Sequence, residues 1–173
     1  MLIRKAKTED IAAVGQIYED IHTEEEAGRV TIGWQRGIYP TERTAEAALE
    51  RGDLFVMEDN GTIVGAALIN AIQVGVYSNA PWQFEAADSE VSVLHTLVIS
   101  PKAGRKGYGE SFVRFYEEHS KAVGRPYLRI DTNERNTRAR AMYKKLGYTE
   151  IATVPCVFNG IEGVGLVLLE KKL

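Results

Sequence analysis

The sequence has 173 residues, 45% of them hydrophobic and 26% charged, which is typical of a single folded domain with a substantial core. A net charge of −3 argues against nucleic acid or an acidic membrane as a partner. One cysteine, Cys156, excludes an internal disulfide, and the scattered histidines predict no metal site. The charged N-terminal segment is unlike a signal peptide and no apolar run reaches membrane-spanning length, so we expect a cytoplasmic protein.

The first half of the chain predicts two helices and a β-hairpin. A short strand, LIRKA, precedes a helix for which Thr8 is the predicted N-cap. The apolar positions of this helix recur at helical spacing: Ile11, Val14, Ile17, Tyr18 and Ile21. A second helix is predicted in TAEAALERG, with Thr44 as its cap and Gly52 at its end. Two β-rich runs around Asn60-Gly61 predict the hairpin.

The second half predicts a strand–helix–strand–helix unit followed by two strands. VSVLHTLVIS is a nearly continuous apolar run, typical of a strand buried on both faces. The next helix is predicted to bury one face, made of Phe112, Val113, Tyr116 and Val123. PYLRID is the following strand, and NTRARAMYKKLGY is a helix capped by Asn136. TEIATVP and GVGLVLLEKKL close the chain as strands, so we predict one α/β domain over 1–173.

Two segments, at about 24–42 and 72–90, lack a clear period and are predicted to be irregular. They contain four large aromatic residues: Trp34, Tyr39, Trp82 and Phe84. Aromatic-rich loops often line ligand pockets, and the nearby Glu85 and Asp88 would suit a cationic amine. The alternative, which we favour, is that these loops simply pack on the sheet.

A glycine-rich loop, SPKAGRKGYGES, joins the apolar strand to the helix after it. A helix start offers unpaired N–H groups with partial positive charge, and glycine lets a ligand approach the backbone closely. The pattern therefore predicts a phosphate site, with a plain helix-opening turn as the alternative. The loop lacks the Gly-Lys-Ser/Thr of a P-loop. It matches the dinucleotide fingerprint weakly, because Phe112 replaces the third glycine although Asp131 ends the next strand as required.

The loop and a later segment together resemble the GNAT superfamily of N-acetyltransferases. The family loop, Gln/Arg-x-x-Gly-x-Gly/Ala, reads GRKGYG here, with Gly104 in place of the usual Gln or Arg and Arg105 and Lys106 as compensating cations. The later family motif, Asn-x-x-Ala-x-x-x-Tyr-x-x-x-Gly-Phe/Tyr, is matched at Asn136, Ala139, Tyr143, Gly147 and Tyr148. The resemblance is specific over about 91–148 and rests on element order in the first ninety residues.

This resemblance implies a GNAT-like α/β fold of the α+β type, with a mixed, mostly antiparallel sheet of about six or seven strands and helices on both faces. It implies transfer of an acetyl group from acetyl-CoA to a primary amine by direct attack. The acceptor is expected to be a small molecule rather than a protein, and homodimerisation is a further expectation. The residues that the resemblance assigns to the cofactor are Leu97, Val98, Ile99, Gly104, Arg105, Lys106, Gly107, Tyr108, Gly109, Glu110 and Asn136.

Two residues are predicted to move protons. Tyr143 lies two helical turns after Asn136, and its phenol stays protonated at neutral pH, so the resemblance implies that it donates to the departing thiolate. Packing in the core is the alternative. His95 lies two residues before Leu97, on the same face of a regular strand, and is predicted to accept the proton of the amine directly or through water. A structural histidine, with Glu85 or Glu90 as the base, is the alternative.

Three other functions remain open at this point. The domain could transfer a longer acyl chain, or serve as a non-catalytic acyl-CoA-binding regulatory module. The third alternative, a dinucleotide enzyme, depends on the weak fingerprint alone.

Overall fold

A computed structural model describes residues 1–104 and 106–173, so the predicted phosphate contact of Arg105 lies outside the described residues. Within them, seven strands form one sheet in the order β1-β2-β3-β4-β5-β7-β6. The strands are β1 (Leu2–Lys5), β2 (Leu54–Asp59), β3 (Thr62–Asn70), β4 (Val91–Ile99), β5 (Tyr127–Asn133), β6 (Thr149–Phe158) and β7 (Ile161–Lys172). Neighbouring strands are antiparallel apart from β4 and β5, which confirms the predicted sheet.

Four α-helices cover the two faces of this sheet. They are α1 (Ile11–Glu26), α2 (Glu42–Arg51), α3 (Tyr108–Ala122) and α4 (Thr137–Lys145). The apolar sides of α1 and α2 pack on one face, which we call the α1 face, and those of α3 and α4 pack on the other, the α3 face. Over the described residues, none of the helices combines the length and apolarity that a membrane crossing requires.

The predicted apolar faces of the helices are buried, with one exception. The five apolar positions of α1 and the first three of α3 all lie in the core. Val123, predicted to be the fourth on α3, is instead 50% exposed. The prediction is wrong because α3 ends at Ala122, and Gly124, with a φ of 73°, turns the chain away from the sheet.

Neither predicted N-cap is the observed one: the cap of α1 lies two residues later, at Asp10, and the cap of α2 three residues earlier, at Thr41. Thr8 opens a short 3₁₀ turn, and α1 begins only at Ile11, after Asp10 has accepted a hydrogen bond from the Lys7 N–H at 2.8 Å. Helix α2 is capped by Thr41, whose N–H donates to the Thr44 hydroxyl at 3.0 Å. Several capping residues follow one another in both segments, so composition alone could not select the right one.

Strand β4 contains a β-bulge. Ala66 pairs with Val98, but Leu68 pairs with His95, so β4 carries one residue more than β3 between these two pairs. Thr96, within the bulge, has a left-handed φ of 53°, and its hydroxyl is hydrogen-bonded to the hydroxyl of Tyr39.

The bulge changes the face to which His95 belongs. Leu94 and Leu97 both pack on the α3 face although three positions separate them, whereas Val93 packs on the α1 face. His95, two positions after Val93, therefore points to the α1 face. The prediction that His95 and Leu97 share a face is wrong, because it assumed regular alternation through the strand.

The parallel pair β4–β5 is short. It extends only from Val91 opposite Tyr127 to Leu94 opposite Ile130. Strand β5 then continues along β7 as far as Asn133, while the second half of β4 pairs only with β3. One edge of residues 95–99 therefore has no neighbouring strand among the described residues, and the two strands separate as the resemblance implied.

Gly65 allows β3 to approach this part of β4. A Cβ atom at position 65 would lie 2.6 Å from Cδ1 of Ile99 and 2.9 Å from the carbonyl oxygen of Val98. We predict that Gly65→Ala lowers the free energy of unfolding by about 1–3 kcal/mol, because the strands must shift apart. Urea denaturation measures this. The control is Gly75→Ala, whose Cβ would meet no heavy atom within 4 Å. Equal stability of the two variants would contradict this account of the strand contact.

Candidate active site

The separation of β4 and β5 opens a cleft of about 1330 Å³. Its walls come from four places among the described residues: the second half of β4, the end of β5, helix α4 with Asn136 before it, and residues 104 and 106–110. We call this part the cofactor wing. The cleft continues on the α1 face, between the segment 27–41 that joins α1 to α2 and the residues Arg51, Asn70 and His95, and we call this part the acceptor wing. The cleft is large enough for an extended cofactor and a small second substrate.

Two glycines shape the loop in the cofactor wing. Gly107 is the N-cap of α3 with a φ of 75°, and Gly104 has a φ of 76° and a ψ of 179°, a conformation that other residues essentially never adopt. A Cβ on either glycine would meet no heavy atom within 4 Å, so both border open space. Gly104, the position that departs from the family motif, therefore takes a conformation that favours glycine.

The N-terminus of α3 presents free backbone donors to this space. Its first turn has no side-chain cap within the described residues, and its first helical bond runs from the Ser111 N–H to the Gly107 carbonyl at 3.0 Å. The N–H groups of residues 108–110 precede that bond and therefore lack helical acceptors. Together with the partial positive charge of the helix start, they form a site suited to a phosphate group.

Tyr108 and Gly109 both contribute to the packing of the fold. Tyr108 is buried, and its hydroxyl donates to the Asp59 carboxylate at 2.6 Å. A Cβ on Gly109 would lie 3.1 Å from the sulfur of Met142, so this glycine allows α3 and α4 to pack closely. Any contribution of either residue to cofactor binding therefore comes from its backbone N–H.

The charged side chains around the loop are mostly paired. The carboxylate of Glu110 forms an ion pair with Lys145 at 2.7 Å. Lys145 therefore offsets the negative charge of Glu110 at the start of α3, where an anion would bind. Lys106 lies 3.8 Å from Asp59 and is largely exposed. The hydroxyl of Tyr108, followed by the charge of Asp59, raises the pKa of Lys106, which keeps it cationic. Because its side chain is largely exposed, Lys106 can turn toward a bound phosphate.

Helix α4 brings two predicted residues into the cofactor wing. The side-chain oxygen of Asn136 accepts a hydrogen bond from the Ala139 N–H at 3.2 Å, which confirms its role as the cap. Tyr143 lines the same cleft, is only 4% exposed, and packs edge-to-face on Tyr148. Burial, and to a lesser degree the charge of Asp131, raises the pKa of Tyr143, so its hydroxyl stays protonated.

His95 lines the acceptor wing but is a weak base. Its Nε2 lies 3.2 Å from the side-chain oxygen of Asn70 and 3.1 Å from the carbonyl of Ile72. The Asn70 amide is oriented by its donation to Asp53 at 2.8 Å, so both neighbours of Nε2 are acceptors and the ring donates from Nε2. Burial lowers the pKa of His95 to about 4, so the ring is neutral at physiological pH.

A second titratable group, Asp131, lies in the cleft and was not among the predicted site residues. Its carboxylate accepts a hydrogen bond from the Tyr77 hydroxyl at 2.6 Å, and burial raises its pKa to about 6. The sequence predicts Asp131 as the last residue of a strand, and β5 in fact continues to Asn133. Nothing in the sequence pairs Asp131 with Tyr77, which comes from an irregular segment without any period.

The aromatic residues of the two irregular segments have different roles. Trp34 and Tyr39 line the cleft, as the pocket interpretation predicts. Trp82 instead stacks on the Arg129 guanidinium at 4.0 Å, and Phe84 packs against Tyr127, so the second segment packs on the sheet. Glu85 and Glu90, the alternative bases, are exposed and do not line the cleft.

Comparison with known proteins identifies the family of this chain. The model of the acetyltransferase (GNAT) family matches residues 14–148. The N-acetyltransferase YhfO of Bacillus subtilis, itself uncharacterised, is 24% identical over 152 residues, which cover 87% of this chain and 91% of YhfO.

Two solved structures share the fold. A GNAT-family acetyltransferase from Streptococcus agalactiae superimposes with a TM-score of 0.82 at 23% identity, covering 99% of this chain and 95% of that one. YncA of Salmonella typhimurium, solved with its cofactor acetyl-CoA, superimposes with a TM-score of 0.73 at 18% identity, covering 100% of this chain and 94% of YncA. The chain described here belongs to the acetyltransferase (GNAT) family. The predicted cosubstrate, acetyl-CoA, is confirmed at the level of that family.

Two variants of Asn136 separate its role as a cap from a contact with the cofactor. We predict that Asn136→Ala loses about 1 kcal/mol of stability and also weakens coenzyme A binding. Asn136→Asp keeps the capping oxygen, so it should retain the stability, but its negative charge should weaken the binding of an anionic cofactor. Urea denaturation and isothermal titration with coenzyme A measure the two effects. Full affinity in the Asp variant would leave Asn136 as a cap only.

Proposed function

We propose that this protein transfers an acetyl group from acetyl-CoA to a primary amine on a small molecule, by direct attack of the amine on the thioester. The observation that carries the proposal is the shape of the cleft. A strand edge that has no partner in the described part of the chain, an open helix N-terminus and a buried tyrosine all line one continuous space. The same space extends to a separate acceptor wing, so a second substrate can reach the reacting atoms.

The residues of the cofactor wing fit the parts of coenzyme A. The diphosphate would lie against the N–H groups at the start of α3, with Gly107 leaving room and Lys106 adding charge. The free edge of residues 97–99 would hydrogen-bond the amide groups of the pantetheine arm, since the backbone groups on that edge have no strand partner among the described residues. Acetyl-CoA, when bound, supplies an acyl carbon activated as a thioester.

Tyr143 is the proposed proton donor. Its raised pKa keeps the proton on the phenol until negative charge develops on the sulfur, and a hydrogen bond from the phenol then stabilises that charge. The acceptor must also be a neutral amine when it attacks, so a group in the cleft has to accept its proton. His95, with a pKa of about 4, accepts this proton poorly.

A thermal-shift screen followed by an amine panel tests the proposal. Acetyl-CoA and coenzyme A should raise the melting temperature, whereas NAD should not. Release of free thiol should then identify amines that turn over. Binding of coenzyme A without turnover of any amine would support the alternative of a non-catalytic acyl-CoA-binding module. Stabilisation by NAD alone would contradict both readings.

Replacing the proposed acid tests its role directly. We predict that Tyr143→Phe keeps its affinity for coenzyme A within about twofold of the wild type. Its turnover rate should fall by roughly 10²-fold or more, because the proton donor is lost. Free-thiol release and calorimetry measure the two quantities. The matched control is Tyr148→Phe, which removes the hydroxyl of the tyrosine packed against Tyr143 outside the cleft lining. Equal turnover in Tyr143→Phe and the wild type would remove Tyr143 as the acid.

The contribution of Lys106 should depend on salt. We predict that Lys106→Ala weakens coenzyme A binding by about 3- to 10-fold at low ionic strength and by less at high ionic strength, because counterions screen an exposed charge. Titrations across a salt series measure this. The control is Lys144→Ala, an exposed lysine on α4 that does not line the cleft. No change at low salt would exclude Lys106 as a phosphate contact.

A further inference from the structure

We infer that Asp131 accepts the proton of the acceptor amine, and that Tyr77 positions the Asp131 carboxylate for this step. The inference rests on the proposed acetyl transfer, to which it adds the base. The sequence offered His95, Glu85 and Glu90 for this role. The structure leaves the two glutamates outside the cleft lining and makes the histidine a weak base.

Asp131 lies where the two parallel strands separate. The last pair between β4 and β5 joins Leu94 to Ile130, so Asp131 is the first residue of β5 beyond it. Strand β5 stays paired with β7 here, with Asp131 opposite Leu168, so its backbone is held in the sheet. The carboxylate is therefore carried by a rigid element at the apex of the cleft, beside the free edge of β4.

The carboxylate and the proposed acid approach this apex from opposite faces of the sheet. Ile130 packs on the α3 face, so Asp131 points to the α1 face, where Tyr77 and the acceptor wing lie. Tyr143 belongs to the α3 face. The two groups are nevertheless close enough for the charge of Asp131 to raise the pKa of Tyr143. An acid on the side of the leaving group and a base on the side of the acceptor are what the reaction requires.

The hydrogen bonds of Asp131 leave one oxygen available. Tyr77 donates to Oδ2 at 2.6 Å, and within the described chain this is the one hydrogen bond to the carboxylate. Residue 131 is also partly exposed and lines the cleft. Oδ1 can therefore take a proton from a bound ammonium while Oδ2 stays fixed by Tyr77.

The surroundings of Asp131 leave it as the group that titrates near neutral pH. Four ionisable groups lie close enough to sense the charge of Asp131: Tyr39, Tyr77, Tyr143 and Cys156. His95 and Arg51 line the same cleft, and Arg129 lies two positions earlier on β5. Burial raises the pKa of each phenol and of the thiol, so these groups stay neutral, and Arg129 stays cationic. Asp131, with a pKa of about 6, is ionised at pH 7 and is a stronger base than His95.

The protons balance as follows. Asp131 takes one proton from the bound ammonium, which leaves the nitrogen neutral and able to form the C–N bond as the C–S bond breaks. Tyr143 gives its proton to the sulfur, and the second proton of the nitrogen restores the Tyr143 hydroxyl. Asp131 then releases its proton to water, so the products are the amide, the free thiol and one proton.

The test is the pH dependence of kcat/KM. The wild type should lose activity as the pH falls through about 6, where Asp131 becomes protonated. Asp131→Asn keeps an oxygen that can accept from Tyr77, so coenzyme A affinity should stay within about twofold. Its turnover should fall by roughly 10²-fold or more, and the loss of activity at acidic pH, which is the acidic limb of the profile, should disappear. Glu85→Gln, the matched control, should keep both the activity and the limb.

Tyr77→Phe provides a second readout that does not depend on the folding of the first variant. The hydrogen bond from Tyr77 stabilises the carboxylate, so its loss should raise the pKa of Asp131 and move the acidic limb to higher pH. A limb that stays in place in Tyr77→Phe, or full turnover in a folded Asp131→Asn, would overturn the inference while leaving acetyl transfer intact. A wild type that turns over no amine would overturn both.

Discussion

The site depends on the point at which the parallel pairing of β4 and β5 ends, after Leu94 and Ile130. Backbone N–H and C=O groups need partners, and a strand inside a sheet normally finds them in its neighbour. Here residues 95–99 keep β3 on one side and have a cleft on the other. The free edge, the position of Asp131 and the access of α3 and α4 to one space all follow from this separation.

The irregular segment before β4 is fixed to the sheet by a buried polar cluster. Arg129 stacks on Trp82 and is hydrogen-bonded to Gln73. Glu170, which lies opposite Arg129 in the register of β5 and β7, accepts a hydrogen bond from the Gln83 N–H at 2.6 Å. Buried charged groups need hydrogen-bond or stacking partners of this kind, because burial otherwise disfavours the charged form. The cluster holds in place a segment without regular structure, and Tyr77, near its start, thereby reaches β5.

Much of the fold could be predicted from the sequence, because it follows from local patterns. The apolar spacing of α1, the Asn60-Gly61 hairpin and the Asn136 cap all appear in the structure as expected. The face of His95 could not be predicted, since a bulge changes the alternation and depends on contacts between distant strands. The pairing of Tyr77 with Asp131 was inaccessible for the same reason, because 54 positions and an aperiodic segment separate them.

The bulge also connects β4 to the segment between α1 and α2, so that the sequences of these two parts cannot change independently. Thr96 holds its left-handed conformation beside the hydroxyl of Tyr39, and Tyr39 belongs to the segment between α1 and α2 that lines the acceptor wing. Any other segment put in its place would have to supply an equivalent hydroxyl, or the bulged part of β4 would lose this hydrogen bond. The lining of the acceptor wing and the shape of β4 therefore depend on each other, and we expect this wing to diversify by substitutions around a retained Tyr39 and not by replacement of the whole segment.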